Sequence, residues 1–180
     1  MSKEIDLLIL ESKKGNKKAQ IKLYDLFSEA MFFISFRYLK NEEEAKDAMQ
    51  DGFLKAFLNI ENYTSEASFG AWLKRIIINT CIDILKKRQI QTVSLEVESF
   101  EISTEEDWNF NSLITKETIV EAVEKLDLKY QLVVKLYLLE GYDHSEISEI
   151  LNIPVKTSRT RLRRGKLALQ KTLKTQKYGT

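Results

Sequence analysis

Between Val155 and Lys177 the chain carries residue types suited to gripping DNA. There are nine basic residues in this stretch (Lys156, Arg159, Arg161, Arg163, Arg164, Lys166, Lys171, Lys174 and Lys177) and no acidic one. On a helical wheel Val155, Leu162 and Leu169 fall on one side, with Ser158 and Gly165 beside them. That side must pack against a domain. Lys156, Thr160, Arg163 and Arg164 fall roughly opposite, with Arg159 at one edge and Thr157 and Arg161 at the other. An arginine fork can bond bidentately to guanine in the major groove, and Lys, Thr and Arg can hold phosphates. A charge run by itself is usually a solvated face. What precedes this one changes its meaning. Asp143-His144-Ser145-Glu146 fits a capping box. Ile147, Ile150 and Leu151 form an apolar face, Asn152 tolerates a left-handed backbone, and Pro154 suits the first turn of a second helix. A short capped helix, a three-residue turn and a longer basic helix make a helix-turn-helix spanning Asp143 to Leu173.

A second group lies in the first half. Residues 74–88 hold five basic residues (Lys74, Arg75, Lys86, Lys87, Arg88) against one acidic, Asp83. Trp72, Arg75, Asn79, Asp83 and Lys86 share one edge of a helix whose other positions are apolar. An aromatic beside cations and an amide suits unstacked DNA, because bases stack on rings while cations meet the backbone. Taken alone, the segment reads first as an ordinary amphipathic helix with a basic end. The stretch Glu42 to Asp51 has the opposite sign, with five acidic residues and one basic, Lys46. It would repel DNA and suit a basic protein partner, or simply face water.

Other chemistries are poorly supplied. One histidine, His144, and one cysteine, Cys81, leave no zinc site of the usual kind and no internal disulfide. There is no glycine-rich phosphate loop, and the carboxylates sit on solvated faces, so neither catalysis nor a cofactor is expected. Net charge is only +1. Charge is segregated, however, and local charge decides what each surface attracts. Met1-Ser2-Lys3-Glu4 does not begin a long apolar run, and no segment approaches a membrane span. A cytoplasmic protein is expected.

The elements that must position these groups are helices. A single proline and six glycines among 180 residues favour an all-α fold. Gly15-Asn16 separates a short first helix from a second running to about Leu39. Asn41 can cap a third, with Glu42, Glu43 and Glu44 well placed in its first turn, ending near Asn59. Asn62-Tyr63-Thr64-Ser65 interrupts the pattern, and a fourth helix follows from about Ser68 to Arg88, with Phe69, Trp72, Leu73, Ile76, Ile77, Thr80, Ile84 and Leu85 at core spacing. Residues 91–112 are acidic and irregular and read as a flexible linker. Helical pattern resumes near Leu113. Two small helical domains are expected, 1–90 and 113–180, the second holding the helix-turn-helix.

Together these pieces resemble the extracytoplasmic-function (ECF) sigma factors, the two-domain promoter-recognition subunits of bacterial RNA polymerase. Ala45-Lys46-Asp47-Ala48-Met49-Gln50-Asp51-Gly52-Phe53-Leu54 is similar to the family's polymerase-binding segment. Phe69-x-x-Trp72-Leu73-x-x-Ile76-x-x-Asn79-x-x-x-Asp83, followed by Lys86-Lys87-Arg88, is similar to its promoter-melting helix. Ile153-Pro154-Val155-Lys156-Thr157 with Arg161-Leu162-x-Arg164 is similar to its second reading helix. The resemblance implies that Asp47, Gln50, Asp51 and Phe53 bind the clamp helices of the largest polymerase subunit. It implies that Asn62, Tyr63, Ser65, Trp72, Arg75, Asn79, Asp83, Lys86 and Arg88 read and open the minus-ten element. Lys156, Thr157, Arg159, Thr160, Arg163 and Arg164 would read the minus-thirty-five element, and the second domain would meet the flap region of the second-largest subunit. An anti-sigma factor, commonly membrane-anchored, is the implied regulator, and the linker would enter the polymerase channel. Three residues depart from the family pattern: Asn152, Ser158 and Gly165. The last two are expected to soften the packed face of the reading helix, Gly165 by about 1 kcal/mol relative to Ala. The alternative is a dimeric helix-turn-helix regulator acting on duplex DNA without polymerase, which leaves the first domain unexplained.

Overall fold

A computed structural model describes residues 3–92 and 115–178, with the side chains of 90–92, 116 and 174–178 left out. Every regular element among the described residues is helical: α1 (Lys3–Lys13), α2 (Lys17–Leu39), α3 (Glu42–Leu58), α4 (Phe69–Thr92), α5 (Lys116–Glu124), α6 (Leu128–Val134), α7 (His144–Leu151) and α8 (Val155–Tyr178). The expected linker, 91–112, lies outside the described residues apart from 91 and 92, which continue α4. The chain divides into two compact units, one holding α1–α4 and the other α5–α8.

The first unit is built on α2, α3 and α4, with α1 laid against α2. Its helix starts are fixed by side chains that satisfy free backbone donors. Asn16 accepts from the amides of Lys18 and Ala19, and Asn41 accepts from that of Glu44 at 3.0 Å. Gly52 marks the close approach of α3 and α4: a Cβ there would run into Ile77 Cδ1. The small residues Ala45, Ala48, Gly52 and Ala56 all lie on this packed face of α3. On α4 the buried set is Phe69, Leu73, Ile77, Ile78, Thr80, Cys81 and Ile82, while Trp72, Ile76, Ile84 and Leu85 are only half-buried. The core face is therefore rotated from the expected one toward Ile78 and Ile82.

In the second unit α5, α6 and α7 each pack on α8. The end of α5 is closed by α6: Gln131 Nε2 lies 3.2 Å from the carbonyls of Val123 and Glu124 and 3.0 Å from the Glu124 carboxylate. Lys135, only 1% exposed, donates to that same carboxylate at 3.0 Å. A cation and an amide thus meet the negative end of a helix dipole. After α6 the chain forms a π-helical turn, Lys135–Leu139, then a left-handed Gly141 at φ 78° that leads into α7.

Candidate nucleic-acid interface

The helix-turn-helix forms as its residues dictate. Asp143 Oδ1 accepts from the amides of Ser145 and Glu146 at 2.7 and 2.8 Å, and Glu146 Oε2 accepts from the Asp143 amide at 2.9 Å, completing the capping box. Asn152 ends α7 in the left-handed conformation (φ 54°, ψ 54°). Residues 152–154 then turn the chain into α8. Ser148 Oγ donates to the Ile153 carbonyl at 2.6 Å, which fixes the turn from inside.

Ser158 and Gly165 do not soften the packed face of α8; they make it fit. Ser158 is fully buried, and its hydroxyl lies 2.9 Å from His144 Nδ1. His144 in turn stacks on Tyr137, with centroids 4.9 Å apart and planes 27° apart. A valine at 158 would leave that ring nitrogen without this partner. Gly165 faces α6, and a Cβ there would meet Val134 Cγ2 at 2.7 Å. Leu162, Leu169 and Leu173 complete the buried stripe. Lys156, Arg159, Thr160 and Arg163 are exposed, and Thr157 and Arg164 are half-exposed. Thr160 Oγ1 donates back to the Lys156 carbonyl at 2.9 Å.

In the first unit the loop and the start of α4 come together through aromatic contacts. Tyr63 lies 5.6 Å from Phe69 and 5.4 Å from Trp72, centroid to centroid. Its hydroxyl donates to the Ala67 carbonyl at 2.8 Å. Tyr63 is 3% exposed, so the expectation that it contacts DNA is corrected: its ring is the floor on which the loop rests. Asn62, Ser65 and Asp83 are exposed, and Trp72, Arg75, Asn79 and Lys86 are half-buried along one edge of α4, while Arg88, also half-buried, lies on the far side of that helix. Ser65 holds a left-handed backbone at φ 65°. Cys81 is buried behind this edge, and desolvation pushes its thiol up to about 11, so it is no nucleophile.

The acidic face of α3 requires a second correction. Phe53 is 2% exposed and packs 4.7 Å from the Tyr24 ring, so it is core and cannot meet a partner. Asp47, Gln50 and Asp51 are exposed, and the apolar residues that share their face are Leu54 and Leu58, at 62% and 83% exposure. Sequence reasoning missed both. The signal was present in the small residues at 45, 48, 52 and 56, which mark the opposite face as packed. Arg88 forms an ion pair with Glu44, linking the basic end of α4 to the first turn of α3.

The profile of Sigma-70 region 2 matches residues 23–90, and that of Sigma-70 region 4 matches residues 116–169. The chain is 35% identical to the ECF RNA polymerase sigma factor SigW of Bacillus subtilis (strain 168), over 92% of this chain and 95% of that one. This chain belongs to the ECF sigma factors. As a member of that family it is an alternative sigma factor that acts in transcription initiation. It is also 25% identical to the ECF sigma-E factor of Haemophilus influenzae, over 88% of this chain and 89% of the relative. The fold is shared with CnrH, solved with the cytosolic domain of CnrY, at a TM-score of 0.57 and 19% identity, covering 96% of this chain and 98% of that one. RpoE from Bartonella quintana, solved with the anti-sigma factor NepR, gives 0.56 at 20% identity, covering 85% and 95%. Among the described residues no helix is long and apolar enough to cross a membrane.

Proposed function

We propose that the two units divide promoter recognition between them and that one face of the first unit is kept for polymerase. The observation that carries this reading is the sign and exposure of three helix faces. On α3 the exposed face is acidic and flanked by Leu54 and Leu58. On α4 a half-buried edge combines Trp72 with Arg75, Asn79 and Lys86, beside the exposed Asp83. On α8 the face opposite the buried leucines carries Lys156, Thr160, Arg163 and Arg164, with Arg159 at one edge and Thr157 at the other.

In this reading Asp47, Gln50 and Asp51 meet basic groups on the clamp helices of the largest polymerase subunit, and Leu54 and Leu58 replace Phe53 as the apolar contacts. Asn62, Ser65 and the α4 edge, with Arg88, take up unstacked bases and backbone of the minus-ten element. Unstacking a base costs a few kcal/mol, which stacking and phosphate contacts offset. The α8 face reads the minus-thirty-five element, and the second unit meets the flap region of the second-largest subunit. The action is binding without catalysis, in the cytoplasm. The solved complexes of CnrH and RpoE support an anti-sigma factor as the regulator of this chain too.

The test adds the purified protein to core polymerase with a promoter library and sequences the transcripts. Promoter-dependent transcripts that vanish with Leu54→Glu combined with Leu58→Glu are expected. No promoter-dependent transcript from the unaltered protein would sink the reading.

A further inference from the structure

Helix α1 lies before the first residue matched by the region 2 profile, and nothing so far gives it a role. Its last residue reaches the promoter-facing loop. Lys13 Nζ donates to the Tyr63 carbonyl at 2.8 Å, across 50 positions of sequence. Ile9 and Ser12, one turn and one residue earlier, are buried, so the end of α1 is held in place and Lys13 is half-buried.

Tyr63 is the hinge post of the loop. Its amide donates to the Ile60 carbonyl at 3.1 Å, its hydroxyl donates to Ala67, and its ring sits against Phe69 and Trp72. Beyond the loop, the Ser68 hydroxyl accepts from the Ala71 amide and starts α4. Residues 64–68 are all exposed and hang between these two fixed ends, with Ser65 in the left-handed conformation. The carbonyl of Tyr63 sets the plane of the peptide that begins the loop, and an ammonium from a different helix orients it. A hydrogen bond to a charged donor is among the stronger kinds.

We infer that Lys13 is a positioning residue for promoter opening: it orients the Tyr63–Thr64 peptide and so holds the loop in the geometry that accepts an unstacked minus-ten base. This rests on the loop's reading role proposed above. It makes α1 a strut for base selection rather than a mere cover over α2.

The experiment uses the full chain with core polymerase and a promoter set varied base by base across the non-template minus-ten strand. For Lys13→Met, open-complex formation falls about tenfold and the base preference flattens. Its affinity for core polymerase and for minus-thirty-five duplex stays unchanged. Lys13→Arg, which keeps a charged donor, restores most of both. Wild-type opening and preference in Lys13→Met overturns the inference. So does a loss that Lys13→Arg shares in full, since that marks general disruption of α1. Asn62→Ala and Ser65→Ala, at the two residues the proposed reading places around this loop, separate the two levels. If they leave base preference intact, the loop is not the reader, and the inference falls with that reading. If they flatten it and Lys13→Met does not, only the role of Lys13 falls.

Discussion

Gly165 is the residue at which propensity and packing disagree most. In an exposed helix interior, Ala in place of Gly gains about 1 kcal/mol. Here the added methyl would lie 2.7 Å from Val134 Cγ2 and 3.5 Å from Tyr130 Cβ. Val134 is buried, and a β-branched side chain in a helix is nearly confined to one rotamer, so it cannot swing away. Overpacking typically costs about 1–3 kcal/mol, which outweighs the helical gain. Gly165→Ala is therefore expected to lower the stability of the second unit by about 1 kcal/mol, read as a reduced Tm. Adding Val134→Ala should recover part of the loss relative to Val134→Ala alone, because the two positions touch. A rise in Tm for Gly165→Ala would show that the close approach is not real. The same logic explains Phe53 and Tyr63. Both looked like binding residues because aromatics serve either purpose, and only their burial separates core from contact.

At the scale of elements most of the fold was legible. Gly15-Asn16, Asn41, Asp143-Glu146, Asn152 and Pro154 mark boundaries because each meets a local backbone need, and caps act within one turn. The face that a helix turns inward was less legible. The core of α4 includes Ile78 and Ile82 where the sequence pattern suggested Ile76 and Ile84, since a run of isoleucines supports two registers and the neighbours choose between them. The π-helical turn at Lys135–Leu139 had no signature in the residue pattern at all. His144 joins that turn to α7 and α8 through Tyr137 and Ser158. Its imidazole is held below the ordinary value of 6.5, first by burial, then by the positive charge of Arg159, with Lys166 adding to this and Asp143 opposing. The neutral ring is thus the one the fold prefers. The unfolded chain binds this proton more readily, so stability is full above the unfolded value near 6.5 and is lost as pH falls from there through the lower folded value. Between about pH 7.5 and 5.5 the Tm of the second unit should drop further in the unaltered protein than in His144→Gln, which cannot titrate. Equal slopes would show that His144 is as easily protonated in the fold as outside it.

For the whole molecule, a net charge of +1 hides surfaces that must behave in opposite ways. At physiological salt the screening length is about 8 Å, so a charged face acts mainly on the partner that comes into contact with it. The acidic face of α3 should then be silent toward DNA, and the basic face of α8 should carry the electrostatics of duplex binding. Each phosphate neutralised on a duplex contributes about −0.9 to the slope of log affinity against log salt. Lys156 stands exposed in the first turn of α8, and in the proposed reading its ammonium serves the minus-thirty-five contact as a point charge on a phosphate. Lys156→Gln is expected to weaken binding to every duplex alike and to make the slope shallower by about 1. Asp51→Asn removes one negative charge from α3. It should leave the duplex slope where it was and weaken association with core polymerase. Salt titrations of the full chain against matched and scrambled duplexes, run beside polymerase binding, measure both. A Lys156→Gln slope equal to that of the unaltered protein would place the phosphate contacts elsewhere on α8. A duplex slope altered by Asp51→Asn would mean that the faces are not electrostatically separate.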